Sequence, residues 1–270
     1  MNPFLKWPGG KRWFISKYQN YIPEKFNNYI EPFLGGGSVF FYLQPEASIL
    51  SDINTDLINV FLAMRDNHEQ LRDILCAHQK LHNIEYYYHI REYIPEDPIA
   101  QAARFLYLNR TCFNGMYRVN RQGKFNVPIG TKSNCTYDID RFPLYARSLK
   151  KAEISVSDFG PTIRRARYGD FLFVDPPYTI AHNQNSFIKY NENLFSWNDQ
   201  IRLLEDLSHA NGNGAIIIST NANYFLIREM YQDCGFYTKP IHRYCSISGS
   251  AKGRGTQEEL LISSIPFLEE

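Results

Sequence analysis

Hydrophobic and polar positions along the chain follow two periods, which together predict a sheet with helices between its strands. Apolar runs of strand length, rich in β-branched and aromatic residues, occur at seven places: 29–33, 48–53, 152–159, 170–174, 214–220, 237–244 and 259–265. Between some of them apolar residues recur at helical spacing, as Ile201, Leu204 and Leu207 do within 198–210. Strands that alternate with helices indicate a mostly parallel α/β sheet. We therefore predict a Rossmann-like fold with seven strands.

The segment between the second and third predicted strands, roughly a hundred residues, is too long for one crossover connection. Apolar positions begin one helix at Leu57, and Asp97-Pro98 supply the N-cap and the first residue of another. Gly123 lies between two β-rich arms of 117–128, which predicts a hairpin. We therefore expect 56–150 to be a helical insert with a hairpin, within a domain formed by 1–55 and 151–270.

Composition narrows the class of protein. The five cysteines are odd in number and form no CxxC pair, which argues against a disulfide framework or a thiolate zinc site. Neither a signal peptide nor an uncharged apolar stretch of about 18 residues is found, so we expect a soluble, cytoplasmic protein with no membrane contact.

Charge is segregated along the chain although the net charge is only +1. Residues 104–151 carry ten lysines and arginines against two acids, while 46–97 carry ten acids against four bases. Shorter basic stretches lie at Lys6–Lys17 and Lys239–Arg254. Brought together on one face, the basic stretches would form a phosphate-binding surface.

The tetrapeptide Asp175-Pro176-Pro177-Tyr178 follows the apolar run at 171–174. The prolines cannot donate hydrogen bonds and fix the backbone after the strand. Asp175 and a carbonyl of the proline pair can accept both N–H bonds of an amine on a flat ring, and Tyr178 can stack on that ring. The pattern therefore predicts a catalytic site for an exocyclic amine.

A second pattern predicts a nucleoside site at the carboxyl ends of the strands. Gly35-Gly36-Gly37 joins a strand to a helix but lacks the third glycine of the dinucleotide fingerprint, which disfavours a nucleotide-dependent oxidoreductase. Asp52 ends the next strand, where it can accept ribose hydroxyls. Asp158 and Phe159 are a plausible pair for an adenine amino group and ring face. Any one of these acids could instead be a helix N-cap.

These motifs resemble those of the Dam-type DNA adenine-N6 methyltransferases of bacteria and phages, and the resemblance covers nearly the whole chain. It implies a methyltransferase sheet with an inserted target-recognition domain, and methyl transfer from S-adenosylmethionine to the N6 amine of a flipped adenine in double-stranded DNA. It also implies the target GATC, a role in DNA replication or restriction–modification, no obligate protein partner and a monomer, associated with the nucleoid or in host cytoplasm. The matching segments are 4–12, 30–38, 51–54, 106–118, 125–128 and 175–178.

The resemblance and the patterns above assign three sets of residues. Catalysis falls to Asp175, Pro176, Pro177 and Tyr178. The expected cofactor-binding residues are Trp7, Lys11, Phe33, Gly35, Asp52, Asp158, Phe159 and Asp175. By the resemblance, Arg118 reads guanine, Met116 and Pro128 touch thymine methyls, Phe113 wedges into the duplex and Lys6 reaches the outer guanine, with Asn114 beside them. The chain departs from the family at Met116, where Leu is usual, at Phe113, where Tyr is frequent, and at Thr131, where many members have Arg.

Two other functions remain open from the sequence. Methyltransferases of RNA or of a protein glutamine amide also use an Asp/Asn-Pro-Pro-Tyr site, and a DNA-binding regulator could keep a vestigial one. The basic hairpin favours duplex DNA, because a two-stranded ribbon fits its major groove. No metal is expected, because His78 and His82 lack an acid ligand nearby.

Overall fold

The computed structural model describes residues 1–120, 122–178, 195–245 and 255–267. Within them lie seven strands, at the seven places that the sequence predicts. They are β1 (Tyr29–Glu31), β2 (Ser48–Asp52), β3 (Ala152–Val156), β4 (Phe171–Val174), β5 (Ile216–Ala222), β6 (Tyr237–Cys245) and β7 (Gly255–Ser263).

The helices of the described residues include the three that the sequence predicts most directly, at 55–66, 98–111 and 197–212. In chain order they are α1 (Arg12–Tyr18), α2 (Ser38–Leu43), α3 (Thr55–Asp66), α4 (His68–Leu81), α5 (Ile84–Glu92), α6 (Pro98–Thr111), α7 (Phe142–Leu149), α8 (Phe159–Ile163), α9 (Trp197–Gly212) and α10 (Phe225–Asp233). Three residues each at Gln19–Tyr21, Phe113–Gly115 and Ile139–Arg141 form 3-10 turns.

The strands form one seven-stranded sheet in the order β3-β2-β1-β4-β5-β7-β6. Strand β4 pairs in parallel with β1 and β5, whereas β7 lies between β5 and β6 and is antiparallel to both. The α/β prediction is confirmed, but the sheet is mixed. The reason is the connection between β6 and β7, which spans too few residues for the crossover that a parallel pair requires.

The chain divides into two compact units. The first unit comprises Met1–Arg12, Leu34–Glu46 and Leu50–Val156. The second unit comprises Trp13–Phe33, Ala47–Ile49 and Ser157–Glu270. The three-part division at 55/56 and 150/151 stays a prediction.

The second unit has its core around β4, whose four residues are all buried. A strand covered on both faces reads as a continuous apolar run, which is how 171–174 appears in the sequence. Helix α9 begins with a capping box, in which Ser196 and Asp199 bond each other's backbone amides, and packs Leu203 and Leu207 on the core.

The first unit is largely helical. Helix α6 begins as predicted, with Asp97 Oδ2 accepting from the Ala100 amide at 2.7 Å and Pro98 in the first turn. Its last seven residues, 105–111, are all buried, including Asn109 and Arg110. Among the described residues no helix is long and apolar enough to cross a bilayer.

Candidate functional site

Asp175 follows β4 and is anchored by a side chain of the neighbouring strand. Thr220 on β5 donates its hydroxyl hydrogen to Asp175 Oδ1 at 2.7 Å, and Thr220 is fully buried. A carboxylate has about four acceptor sites, so the bond fixes Asp175 and leaves it able to accept others. The sequence does not predict Thr220, which lies 45 residues away.

Tyr178 is anchored by an ion pair on β6 and β7. Its hydroxyl donates to Glu259 Oε2 at 2.5 Å, and Arg243 Nε lies 3.1 Å from Glu259 Oε1. Burial raises the pKa of Tyr178 well above its ordinary value, and the negative charges of Asp175 and Glu259 raise it further. The one signal for Glu259 in the sequence is an acid in the strand pattern immediately before the apolar run 260–262.

Phe33, after β1, packs on Phe159 in the second unit, with ring centroids 5.3 Å apart and planes 27° from parallel. Phe195 contacts both rings edge-on or tilted. Phe159 itself is buried, and the Arg202 guanidinium lies 4.0 Å from its ring centroid. The half-buried Phe33 is therefore the more accessible aromatic surface of this cluster.

Asp158 is held in two interactions. A helix N-cap is the alternative role that the sequence offers for this acid, whereas its ion pair with Arg202 is not predicted. Its oxygens accept from both terminal nitrogens of Arg202, at 2.6 and 3.0 Å, and Oδ1 also accepts from the Gly160 amide as the N-cap of α8. The bonds to Arg202 lower the pKa of Asp158 below its ordinary value. The predicted strand 152–159 was three residues too long, because this cap begins a helix after β3 ends at Val156.

Gly35, in the first unit, lies against Trp7. Its φ is +48°, and a Cβ at this position would lie 2.8 Å from Trp7 Cδ1. Trp7 in turn stacks on Phe105 and Tyr117, with centroids 6.4 and 5.3 Å away. The loop therefore needs glycine for two reasons, its left-handed backbone and its closeness to the indole.

Asp52 ends β2, as predicted, and holds the glycine loop. Oδ2 accepts from the Gly35 amide and Oδ1 from the Asn54 amide, both at 3.0 Å. Burial raises the pKa of Asp52 above its ordinary value, and these amides partly oppose the rise. Lys11, also in the first unit, is buried and donates from Nζ to the Gly9 carbonyl at 3.2 Å.

Phe113, Asn114, Gly115 and Met116 form a turn after α6 that is exposed except at Gly115. Asn114 has φ +58° and Gly115 has φ +65°, so two successive residues are left-handed. The turn exposes two large apolar side chains, Phe113 at 52% and Met116 at 38%. Both side chains are therefore accessible to another molecule.

The predicted hairpin is confirmed for the described residues. Val119 pairs with Phe125 across antiparallel arms, and the Phe113 amide donates to the Pro128 carbonyl at 2.9 Å. Arg118 and Pro128 are exposed. Arg118 Nε donates to Asn126 Oδ1 at 2.9 Å, so the guanidinium is oriented from the opposite arm.

Asn109, on α6, joins the N-terminal strip to the Phe113–Gly115 turn. Its Oδ1 accepts from the Lys6 amide at 2.9 Å, and its Nδ2 donates to the Lys6 and Gly115 carbonyls at 2.8 and 3.3 Å. Partial burial lowers the pKa of Lys6 from its ordinary value, and the positive charge of Lys132 lowers it further. Two lysines thus lie close together beside the exposed turn.

Not every base of the 104–151 stretch contributes to a surface. Arg110 is buried, where its guanidinium pairs with Asp138 at 2.7 Å and donates to the Phe4 carbonyl. Arg104 donates to two carbonyls of α5, those of Ile90 and Arg91. These two arginines therefore do not belong to the phosphate-binding surface that the basic stretches would form. Three further bases of the predicted phosphate-binding surface, Arg121, Lys252 and Arg254, lie outside the described residues.

His78, within α4, and His82, directly after it, each lie within hydrogen-bond distance of a tyrosine hydroxyl. His78 Nδ1 and His82 Nδ1 each lie 2.7 Å from a tyrosine hydroxyl, of Tyr86 and Tyr107 respectively. Burial lowers the pKa of His78 to about 4. Cys112 is buried, and burial raises the pKa of its thiol to about 11, which suits a packing residue.

Comparison with known proteins identifies the family. The family model described as D12 class N6 adenine-specific DNA methyltransferase matches residues 7–244. The Type II methyltransferase M1.LlaDCHI of Lactococcus lactis subsp. cremoris is 34% identical over 266 residues, covering 95% of this chain and 94% of that protein. The DNA adenine methylase of Haemophilus influenzae is 34% identical over 268 residues, 96% of this chain and 92% of that protein.

A DNA N-6-adenine-methyltransferase of Escherichia phage P1 is 34% identical over 263 residues, which are 95% of this chain and 34% of that longer protein. Among solved structures, a precorrin 8w decarboxylase of Methanobacterium thermoautotrophicum has a TM-score of 0.39 at 12% identity, over 97% of this chain and 94% of that one. The family match covers the glycine loop, the exposed turn and the Asp175–Tyr178 motif. It favours DNA over RNA and over a protein amide as the methyl acceptor, and the chain belongs to the D12 class of N6 adenine-specific DNA methyltransferases.

Proposed function

We propose that the chain transfers a methyl group from S-adenosylmethionine to the N6 amine of an adenine flipped out of double-stranded DNA, within the sequence GATC. The observation that carries this proposal is the anchoring of Asp175 and Tyr178 by Thr220 and Glu259, in a chain of this family. Both anchored side chains belong to the motif that the chemistry of an aromatic amine requires.

Asp175 and Pro176 act on the amine. An adenine amine is a poor nucleophile, because its lone pair is delocalised into the ring. Hydrogen bonds from N6–H to the Asp175 carboxylate and to the Pro176 carbonyl favour a tetrahedral nitrogen and localise that lone pair. Pro177 keeps the backbone extended so that this carbonyl is held in place. The nitrogen then bonds to the methyl carbon as the carbon–sulfur bond breaks, the thioether product leaves and one N6 proton is released to solvent, so no covalent enzyme intermediate forms.

The cofactor contributes an electrophilic methyl on a sulfonium. In the first unit Asp52 suits the ribose of the cofactor, because it accepts two amides and retains acceptor capacity for two hydroxyls. Gly35 lets the loop lie against the indole of Trp7, and we assign Trp7, Gly35 and Lys11 to the cofactor as well. In the second unit we propose Phe33, Asp158, Phe159 and Asp175 as cofactor-binding residues, with Phe33 as a stacking surface.

DNA reading falls to the exposed turn and hairpin. Arg118 is assigned to guanine O6 and N7, because a guanidinium oriented through Nε presents its terminal nitrogens as a fork. Met116 and Pro128 are assigned to thymine methyls, Lys6 to the outer guanine, and Asn114 to a base edge or phosphate nearby. Direct readout requires exposed side chains, and all of these are exposed.

Base flipping gives Tyr178 and Phe113 their roles. The amine lies inside a stacked duplex, so the adenine must leave it at a cost of a few kcal/mol. Phe113 fills the gap in the stack, and Tyr178 stacks on the extruded ring. We propose that the chain does this as a monomer without a protein partner.

The test is methylation by the purified chain with radiolabelled S-adenosylmethionine. The substrates are a GATC duplex, its single-base variants and an RNA of the same sequence. We expect N6-methyladenine in the GATC duplex alone. Asp175→Ala should lower the rate by at least about 100-fold, and Asp233→Ala, an exposed acid at the end of α10, should leave it unchanged. Label in RNA, or full activity of Asp175→Ala, contradicts the proposal.

A further inference from the structure

Glu259 has an unusual environment for a carboxylate. It is 1% exposed, and the residues that follow it on β7, Leu260, Leu261 and Ile262, are buried apolar side chains. A buried carboxylate is costly unless it is paired and hydrogen-bonded. Glu259 meets this condition through Arg243 on the adjacent strand and through the hydroxyl of Tyr178, 81 residues away in the chain. The motif's tyrosine is therefore one of the groups that this buried charge binds.

Side chains along β7 alternate between the two faces of the sheet, so that Glu259 and not Glu258 is directed toward Tyr178. Successive side chains of a strand point to opposite faces. Glu258 is exposed and bonds to Asn223, with His242 Nε2 3.9 Å away. Glu259 points to the other face, toward Tyr178. Two neighbouring glutamates thus have separate partners, and only the buried one contacts the Asp175–Tyr178 motif.

We propose that Glu259, held by Arg243, is a positioning residue that fixes the plane of the Tyr178 ring before adenine arrives; the inference rests on the proposed function. A tyrosine ring turns about two side-chain torsions. A bond at the far end of the ring restricts both. The charge-assisted bond to a carboxylate is stronger than a bond to a neutral acceptor, so it holds the ring more firmly.

The consequence concerns the rate rather than the affinity. A ring that is already ordered stacks on the flipped adenine without a further loss of side-chain freedom. The adenine amine is then delivered to Asp175 in one orientation. Loss of the bond leaves the aromatic surface present but free to turn, so DNA and cofactor should still bind while methyl transfer slows.

A double-mutant cycle tests this coupling. Tyr178→Phe removes the hydroxyl and keeps the ring, and Glu259→Met removes the acceptor at similar volume. Each should lower the single-turnover rate on a GATC duplex about tenfold, equivalent to roughly 1.4 kcal/mol. The double variant should be no slower than either single one, because both remove the same bond. The rate of Glu259→Gln should lie between those of wild type and Glu259→Met, since the glutamine amide oxygen can still accept a hydrogen bond from Tyr178.

Three further measurements separate positioning from folding. Thermal unfolding and the dissociation constants for duplex DNA and for S-adenosylmethionine should stay close to wild type in Tyr178→Phe. With 2-aminopurine in place of the target adenine, the fluorescence of the bound duplex should rise in both single variants, because an ordered aromatic ring quenches it. Glu258→Gln, on the opposite face, is the matched control and should leave every value unchanged.

The outcomes distinguish the inference from the function on which it rests. A wild-type chain that does not methylate GATC, or an active Asp175→Ala, overturns the proposed function. If wild type and Asp175→Ala behave as proposed, a wild-type rate in Tyr178→Phe overturns the inference alone. Multiplied losses in the double variant also overturn it, because they mean that Glu259 acts independently of the hydroxyl. Should Glu259→Met not fold, Glu259→Gln completes the cycle.

Discussion

Replacement of Gly35 by alanine should weaken cofactor binding much more than the same replacement at Gly235. Two separate costs arise at Gly35. Its φ of +48° is left-handed, which costs an alanine roughly 1–2 kcal/mol. The new Cβ would also lie 2.8 Å from Trp7 Cδ1, closer than van der Waals contact allows, and overpacking of this kind typically costs about 1–3 kcal/mol.

The second cost cannot be relieved easily. Trp7 is held by its stacking on Phe105 and Tyr117, so the indole cannot simply move aside. The loop must move instead, and that motion lengthens the bond from the Gly35 amide to Asp52. The Asp52 carboxylate, which we propose binds the ribose, and the loop would then shift together. The clash should therefore appear as lost cofactor affinity of about 5- to 150-fold, equivalent to 1–3 kcal/mol.

Gly235→Ala provides the matched control. Gly235 has φ +82° and no atom within 4 Å of its would-be Cβ, so it carries the backbone cost without the clash. Calorimetry with S-adenosylmethionine and thermal unfolding should be measured on both variants. Gly235→Ala should lose stability and keep its cofactor affinity. If Gly35→Ala also keeps wild-type affinity, the glycine loop does not bind the cofactor as proposed.

Two further predictions concern DNA reading and pH. Arg118→Ala should cost about 1–3 kcal/mol of discrimination at one base pair of GATC. Asn126→Ala, which removes the bond to Arg118 Nε, should lose less discrimination at the same base pair. Methylation of all single-base duplexes at several salt concentrations is the measurement, and a uniform loss over them would assign Arg118 to phosphate instead. His78 titrates at about 4 when folded and near 6.5 when unfolded, so the unfolded state binds more protons between these values and stability falls as pH drops from about 6.5 to 4. His78→Phe should flatten that slope of the free energy of unfolding, and an unchanged slope contradicts the assignment.

The sequence predicted what depends on local pattern. Strand β4 appears as a continuous apolar run because both its faces are covered. The start of α6 could be predicted from Asp97, its N-cap, and Pro98, in its first turn. Helix α4 was missed because charged and polar residues dominate it, with buried positions only at Leu71, Leu75 and His78. Asp158 illustrates a competition between signals. The strand predicted from the sequence extended past Val156 to Phe159, but the N-cap bond from the Gly160 amide to Asp158 begins a helix there.

The anchors of the motif could not be predicted, because they depend on pairing between distant segments. Thr220 and Glu259 lie 45 and 81 residues from the side chains that they bind. Local composition cannot say which strand lies beside β4 in the sheet, nor which strand lies next in the sheet after that one. The predicted site residues were those that a local motif contains, and the missing ones were those that the sheet brings to it.

Strand register links the fold to the proposed catalytic geometry. In the β5·β7 ladder Ala222 pairs with Glu259 and Thr220 with Leu261. Paired residues share a face, and so do residues two apart on one strand, so Thr220 and Glu259 lie on the same face of the sheet. A slip of one residue in β7 would turn Glu259 away and present Glu258. The antiparallel insertion of β7 next to β5 therefore determines which glutamate binds Tyr178. The parallel β4·β5 ladder, in which Val174 pairs with Ser219, places Thr220 where it binds Asp175.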